Sequence, residues 1–302
     1  MISAESIKNK LKNLAIKENS TMQNELILYG LERSIYRLSI SKYADRFTLK
    51  GGIFLYALFD RNFTRATQDI DLLANKINNE ADNLKAIFEE IFSIQCDDAL
   101  NFDLSSLHVK NITEFKEYHG VNVSIIVFLD RTRIPVSIDI GFGDVIYPDK
   151  AAMDFPTLLD MEPPKIYVYS IYSVLAEKFE AIVSLGLINN RYKDFYDIYA
   201  IGKSKSINGK ELQTAIIETF KHRNTNFEDI VAFTNEYMND KINQTRWNSF
   251  IKKKQVNEKI SFETIIKYCR NLLEPVIDTI KNNSSFDFIW DSSQEKWIKH
   301  QN

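Results

Sequence analysis

Residues 47–75 read FTLKGGIFLYALFDRNFTRATQDIDLLAN, with Asp69 and Asp71 on either side of one isoleucine. In a β-strand, residues i and i+2 point to the same face, so this triplet predicts two carboxylates side by side. Like charges this close repel each other, and a hard divalent cation with oxygen ligands is the usual solution. The stretch therefore predicts a metal site on a strand, and the alternative is a solvated strand end.

The same stretch places two glycines before a short apolar segment, Ile53 to Phe59, which we interpret as a buried helix. Free backbone N–H groups at a helix start favour phosphate, although Gly-Gly alone is more often just a turn. Arg61 and Arg65 could neutralise phosphate charge, and Arg65 is the better candidate. Thr67 either donates a hydroxyl hydrogen bond or starts the strand. The residues predicted here to bind a nucleotide are Lys50, Gly51, Gly52, Arg65 and Thr67.

A third carboxylate, Asp139, lies within VSIDIGFGD (residues 136–144) in the middle of a predicted strand. A buried carboxylate without a partner is costly. A metal shared with Asp69 and Asp71 removes this cost, and a salt bridge to an arginine is the alternative. Together these parts suit an NTP held by glycine amides and metal ions and attacked in line at its α-phosphate, with pyrophosphate leaving.

The fold class predicted from periodicity is α+β, with a mixed sheet core, flanking helices and a C-terminal helical lobe. Helices are predicted at 4–17, 22–45, 53–59 and 80–92, and strands at 68–73, 121–129 and 134–142. From residue 172 onward the pattern is helical and ends in a polar tail after Asp291. The proline-rich segment 155–165 is interpreted as the link between domains 1–165 and 166–302.

Composition limits the function classes. The chain has 302 residues and a net charge of −3, so a nucleic-acid partner must be held by a local basic face. Two distant cysteines favour a reducing compartment over a disulfide-stapled scaffold. No apolar run approaches the roughly 18 residues that a membrane span needs. These features predict a cytoplasmic protein without membrane association.

A second cluster of charges lies in the predicted helical lobe. Asp194 and Asp197 are spaced i and i+3, on one face of a helix, downstream of Lys178. Either Lys178 simply bridges Asp194, or Lys178 contacts a triphosphate as a point charge while Asp194 orients it or the nucleophile. Helical period alone favours the bridge.

The sequence also resembles a known family. The run ERSIYRLSISKYADRFTLKGGIFLYALFDRNFTRATQDIDLL (residues 32–73) is similar to the signature region of the AbiEii/AbiGii nucleotidyltransferase toxins, and LAEKFEAIV with RYKDFYDIY (residues 175–183 and 191–199) resembles their downstream motif. The resemblance implies a DNA polymerase β-like fold, dependence on Mg²⁺ or Mn²⁺, and a role in toxin–antitoxin systems or phage defence. It further implies transfer of a nucleotide from an NTP to the 3' end of tRNA, and a cognate antitoxin.

By position, the resemblance carries over six active-site residues, and the catalytic roles among them fall to the carboxylates and the lysine. The six are Gly51, Gly52, Asp69, Asp71, Lys178 and Asp194. Lys178 is then also a nucleotide-binding residue. The wider superfamily usually has Gly-Ser where this chain has Gly-Gly, so a serine hydroxyl on the phosphate is not expected. Asp139 is a superfamily expectation only.

The acceptor is the least constrained part of the prediction. The basic stretch 241–259 contains Trp247 and Phe250 and suits a phosphate-tracking face with a stacking platform, or else a solvated helix whose tryptophan packs inward. Three functions remain: transfer to RNA, the same transfer to a protein or small molecule, and a non-enzymatic binding partner that has kept the scaffold. The basic stretch favours RNA.

Overall fold

The structure is a computed structural model. It describes residues 2–63, 67–113, 119–227, 230–253 and 260–299. Every helix among these residues is too short or too polar to span a lipid bilayer.

The chain forms two compact units. Unit 1 comprises Met1–Asp144 and Lys150–Tyr169, and unit 2 comprises Val145–Asp149 and Ser170–Asn302. The proline-rich segment 155–165 lies between two strands of unit 1, and the chain leaves that unit after Tyr169. The sequence-based domains, 1–165 and 166–302, stay a prediction about independently folding parts.

Unit 1 has four α-helices among its described residues. They are α1 (Ala4–Lys17), α2 (Met22–Ser39), α3 (Gly51–Leu58) and α4 (Ala81–Phe92). The side chains of Ser3 and Thr21 accept hydrogen bonds from backbone N–H groups in the first turns of α1 and α2, which fixes both helix starts. The second helix was predicted to continue to residue 45 but ends at Ser39. There the hydroxyls of Ser39 and Ser41 donate to carbonyls of the last turn.

The described part of unit 1 also contains one seven-stranded mixed sheet. The strands are β1 (Phe47–Lys50), β2 (Ile70–Ala74), β3 (Leu100–Thr113), β4 (His119–Leu129), β5 (Thr132–Phe142), β6 (Ala151–Asp154) and β7 (Lys165–Val168). Their order is β3-β4-β5-β2-β1-β7-β6. The pairs β2/β5 and β1/β7 are parallel, and the others are antiparallel. The predicted α+β class is therefore confirmed.

The two faces of the sheet differ in polarity. Along β5, Ile134 and Val136 are buried against α2, where a Cβ added at Gly30 would lie 2.7 Å from Ile134 Cγ2. Glycine at this position lets the helix approach the sheet closely. The alternate residues of β5, including Ser137 and Asp139, point to the other face and are only partly buried. One face of the sheet is therefore covered by a helix, and the opposite face carries polar side chains.

Unit 2 is mainly helical, as predicted. Its described α-helices are α5 (Ile171–Leu185), α6 (Tyr192–Ser204), α7 (Gly209–His222), α8 (Asn235–Asn239), α9 (Lys241–Lys253) and α10 (Phe262–Lys281). A small sheet in the order β10-β9-β8 accompanies them. Its strands are β8 (Ile207–Asn208), β9 (Phe288–Asp291) and β10 (Lys296–Lys299).

The hairpin of β9 and β10 corrects the prediction of a polar tail after Asp291. Trp290 and Trp297 face each other across the hairpin as register partners. The Trp290 indole donates to the Gly202 carbonyl at 2.8 Å, and the Trp297 indole donates to the Leu272 carbonyl at 3.0 Å. Aromatic side chains with satisfied N–H groups therefore hold a segment whose sequence is otherwise polar.

Candidate active site

Carboxylates from neighbouring strands share the polar face of the sheet in unit 1. Asp71 on β2 is the register partner of Lys50 on β1 and of Asp139 on the parallel strand β5. Because register partners on adjacent strands point to the same face, Asp71 and Asp139 lie side by side. Asp69 lies one residue before β2, and the Thr67 hydroxyl is 3.4 Å from its Oδ1. All three carboxylates therefore belong to one end of the β2/β5 pair.

The two glycines bring the start of α3 onto Asp71. The Gly52 N–H donates to Asp71 Oδ2 at 3.3 Å, and α3 begins at Gly51. Gly51 has a φ of +66°, and a Cβ there would lie 1.8 Å from Asp71 Oδ2. Backbone conformation and space thus both require glycine at position 51. The binding of a phosphate by these amides stays a prediction.

We expect Gly51→Ala to lower both stability and activity. The left-handed backbone costs a non-glycine residue about 1–3 kcal/mol, and the new methyl group must also push Asp71 aside. A displacement of about 1 Å at a reacting centre can reduce a rate by about 10²-fold, so nucleotide transfer should fall by at least about tenfold. Thermal unfolding and transfer assays measure the two effects.

Gly186→Ala is the matched control, because Gly186 has a φ of +50° and nothing lies within 4 Å of an added Cβ. It should lose stability through backbone strain alone and keep its transfer rate. An equal loss of transfer in both variants would contradict the role of the Asp71 contact.

Lys50 is fixed by a partner that the sequence analysis missed. Its ammonium lies 2.6 Å from Asp144 Oδ2 and 5.1 Å from the centre of the Tyr169 ring. The side chains of Lys50 and Asp144 are 16% and 6% exposed, so this ion pair is largely shielded from water. Lys50 is therefore held beside the carboxylates, and its predicted contact with a nucleotide stays a prediction. Arg65, the other predicted cation, lies outside the described residues.

Thr67 is buried, with 3% of its surface exposed, and its hydroxyl lies 3.4 Å from Asp69 Oδ1. The hydroxyl is thus placed to orient a carboxylate. Its predicted contact with a nucleotide is not tested by this geometry.

Asp139 is hydrogen-bonded to an amide. The Asn122 Nδ2 group donates to Asp139 Oδ1 at 2.6 Å and also lies 2.8 Å from Ser137 Oγ. Asn122 is the register partner of Asp139 across β4 and β5. Within the described residues this amide takes the place of the arginine considered as an alternative. The register of two strands decides this contact, which explains why it was not predicted.

Among the described residues, no three His, Cys, Asp or Glu side chains lie close enough together to hold a metal ion. The donor atoms nevertheless have suitable chemistry, because carboxylate oxygens are the ligands that Mg²⁺ prefers. Mg²⁺ in nucleotide enzymes is usually bound by one or two carboxylates together with substrate phosphates. The oxygen donors of Asp69, Asp71 and Asp139 are chemically compatible with such an ion, and their role as metal ligands stays a prediction.

In unit 2, Lys178 on α5 lies between two buried carboxylates of α6. Its ammonium is 2.6 Å from Asp197 Oδ2 and 3.1 Å from Asp194 Oδ1. Both aspartates are 0% exposed and Lys178 is 11% exposed. The predicted bridge between Lys178 and Asp194 is thus present, and the i, i+3 spacing does put both aspartates on one face. The predicted contact of Lys178 with a triphosphate stays a prediction.

Asp194 has a second cationic partner, Arg191, whose Nε lies 2.6 Å from Asp194 Oδ2. Burial alone would raise the pKa of Asp194, but the positive charges of Lys178 and Arg191 outweigh it and hold that pKa well below its usual range. Asp194 is therefore a carboxylate at neutral pH, so the cluster is ionic. The arginine is exposed in part, at 36%.

The basic stretch 241–259 does not offer Trp247 as a stacking platform. Trp247 is fully buried, donates to the Ile260 carbonyl at 2.7 Å, and packs against Tyr192 and Phe262. The prediction of a stacking tryptophan is therefore wrong, and its inward-packing alternative is correct. Lys252 and Lys253 are exposed at the end of α9, and residues 254–259 of the stretch lie outside the described residues.

Two crystal structures from Helicobacter pylori resemble this chain. One is of a presumed nucleotidyltransferase, with 10% identity, a TM-score of 0.49, and coverage of 85% of this chain and 96% of that chain. The other is of JHP933, with 11% identity, a TM-score of 0.46, and coverage of 84% and 92%. No curated protein matches the sequence.

The sequence itself matches one family over most of its length. The profile of the family described as "Nucleotidyl transferase AbiEii toxin, Type IV TA system" matches residues 33–268. This range includes the two glycines, the carboxylates of the sheet and the charged cluster of Lys178. The chain therefore belongs to the AbiEii family of nucleotidyltransferase toxins of type IV toxin–antitoxin systems.

Proposed function

We propose that this nucleotidyltransferase transfers a nucleoside monophosphate from an NTP to the 3' end of an RNA, and that the RNA is a tRNA. The observation that supports the proposal best is the register pairing of Asp71 with Asp139 beside the start of α3. It puts two carboxylates next to backbone N–H groups, which is the combination that a metal-bound triphosphate needs.

In the proposed reaction, a hydroxyl oxygen at the acceptor's end attacks the α-phosphorus. The bond from that phosphorus to the oxygen bridging to the β-phosphate breaks, pyrophosphate leaves, and the hydroxyl proton passes to solvent. A divalent cation supplies charge neutralisation on the phosphates and lowers the cost of in-line displacement. The chain's own task is to position both reactants.

The roles of individual residues follow from their surroundings. We assign Asp69, Asp71 and Asp139 to hold Mg²⁺, for which Mn²⁺ can substitute. Asn122 fixes one oxygen of Asp139, and the Gly52 amide fixes one oxygen of Asp71. These hydrogen bonds limit the rotation of both carboxylates before the metal arrives, as partners of metal ligands commonly do.

The nucleotide-binding roles rest on the family resemblance. We assign the amides of Gly51 and Gly52 and the ammonium of Lys50 to the triphosphate, and we extend this role to Lys178. Asp194 then acts by orienting Lys178, which it contacts at 3.1 Å. Arg65 keeps its proposed role in neutralising phosphate charge.

For the cell, we propose that the modified tRNA no longer supports translation and that a cognate antitoxin counteracts the enzyme, as type IV toxin–antitoxin systems require. A role in phage defence and a location in the cytoplasm belong to the same proposal. The family description supports the toxin and its antitoxin, while the acceptor is supported by the resemblance alone.

One labelling experiment tests the proposed acceptor. The purified chain is incubated with Mg²⁺ and each α-labelled NTP in turn, together with either total RNA or total protein, and the products are separated on a gel. We expect label in RNA of tRNA size and none after addition of EDTA.

Periodate-oxidised RNA is the control, because its terminal 3' hydroxyl has been destroyed and it should accept no label. Label in protein, or equal labelling of oxidised and untreated RNA, would contradict transfer to the RNA 3' end.

A further inference from the structure

The carboxylates of unit 1 begin a row of polar residues that continues across the sheet. Asp71, Asp139, Asn122 and Lys110 are successive register partners on β2, β5, β4 and β3. Register partners share a face, so all four side chains leave the sheet on the same side. With neighbouring strands about 4.8 Å apart, Lys110 stands about 14 Å from Asp71. The row therefore connects the proposed metal ligands to a cation at the sheet edge.

A second row runs parallel to the first, two residues away along each strand. Ser137, Ser124 and His108 are register partners on β5, β4 and β3. Between the two rows lie Val123 and Ile138, which are buried on the opposite face. We call these seven residues the polar rows.

Exposure increases along the polar rows toward β3. Asp139, Asn122 and Ser124 are partly buried, whereas His108 and Lys110 are exposed. The chemistry changes in the same direction, from carboxylates through amide and hydroxyl groups to an ammonium and an imidazole. A ligand spread over the polar rows therefore meets negative charge at one end only, where a metal would compensate it.

This order of groups suits a phosphodiester chain better than a polypeptide. Protein contacts to phosphate and sugar oxygens come from lysine and from serine and asparagine side chains, and the polar rows offer all three types.

We propose that the 3' end of the acceptor RNA lies along the polar rows, with its terminal hydroxyl at Asp71 and Asp139 and a backbone phosphate at Lys110 and His108. This proposal rests on the proposed function, since it assigns a place to the acceptor of that reaction. Between the two ends, the Ser124 hydroxyl contacts the sugar-phosphate backbone. The Asn122 carbonyl accepts from a sugar hydroxyl, since the Asn122 amide group donates to Asp139 and Ser137.

The test compares the double variant Lys110→Gln, His108→Gln with wild type, using unfractionated tRNA as the probe. We expect the KM for tRNA to rise by about tenfold and the log-log salt dependence of tRNA binding to become flatter by about one unit, because one lysine-phosphate contact is lost. The KM for the NTP should not change. Both side chains are exposed, so the melting temperature should stay within error.

Lys12→Gln is the matched control. Lys12 is exposed on α1, which packs on α2 and thus belongs to the opposite side of the sheet. The substitution removes one positive charge that lies outside the polar rows. The KM of this variant for tRNA and the salt dependence of its tRNA binding should match those of wild type. Ser124→Glu is a second probe, since a negative charge in the middle of the rows should weaken tRNA binding and spare the NTP.

The failures are distinguishable. If wild type labels protein and no RNA, the proposed function fails and the proposed path of the acceptor fails with it. If wild type labels tRNA but the double variant and Ser124→Glu bind it as wild type does, only the path along the polar rows is overturned. An equal loss in Lys12→Gln and the double variant would also overturn it, since tRNA binding would then respond to net charge alone.

Discussion

Replacing Asp71 with asparagine is expected to lower nucleotide transfer by about 10³-fold or more while leaving the fold in place. The substitution keeps the side chain's volume and its acceptor oxygen for the Gly52 N–H, but it removes a negative charge beside Asp139. A metal held by fewer charges binds more weakly and stabilises the phosphates less. The melting temperature should equal that of wild type or rise slightly, because carboxylate repulsion is relieved. Transfer assays over a range of Mg²⁺ concentrations measure the loss.

The matched control for this variant is Asp82→Asn, an equal change of charge at an exposed position of α4. It should keep full transfer activity. In cells, expression of wild type should arrest growth, whereas expression of the Asp71→Asn chain should not. Near-wild-type transfer by Asp71→Asn would contradict the assignment of Asp71 as a metal ligand. Equal toxicity of both chains would show that the growth arrest does not come from catalysis.

Lys178→Ala is expected to destabilise the protein by about 3–5 kcal/mol at neutral pH. The change removes the ammonium that neutralises two aspartates with 0% exposure. The carboxylates left behind are buried without that compensating charge, which lowers the free energy of unfolding. Because the pKa of Asp194 is lowered, its stabilising charge is present at neutral pH and is lost as pH falls below the usual value of about 3.9. Denaturant unfolding at pH 7 and pH 3 should therefore give a smaller difference from wild type at pH 3.

A charge-neutral variant separates stability from a direct role in the reaction. Lys178→Met combined with Asp194→Asn and Asp197→Asn removes the buried charges together, and we expect it to recover most of the lost stability. If the ammonium contacts the triphosphate, transfer by this stable variant should remain about 10²-fold below wild type, with weaker NTP binding. A variant that is both stable and fully active would restrict Lys178 to a structural role.

Strong alternation made the central strands predictable. Strands expected at 121–129 and 134–142 are found at His119–Leu129 and Thr132–Phe142, since their buried residues repeat with period two. β3 was not predicted, because its register shifts between Asp103 and His108. An irregularity of this kind breaks the alternation on which a sequence-based prediction depends.

The partners of the site residues were harder to predict than the residues themselves. The DID triplet and the two glycines stand out in the sequence, but Asn122 and Asp144 are ordinary residues until strand register and the turn after β5 bring them to Asp139 and Lys50. Trp247 likewise has the composition of a binding surface, and only tertiary packing shows that it is buried. Local sequence patterns therefore indicate which residues belong to the site, whereas the contacts that those residues make depend on the whole fold.

The strand order has a consequence for the synthesis of this toxin. Asp71 leaves the ribosome long before its strand neighbour Asp139. The pairing of β1 with β7 cannot form until β7, which ends at Val168, has been synthesised. Since contacts distant in sequence form late, a nascent chain cannot complete the sheet until more than half of the protein has been translated. Products of early termination thus contain the DID triplet without its strand neighbours. Only ribosomes that translate well past the sheet can therefore release a chain in which Asp71 and Asp139 are strand neighbours.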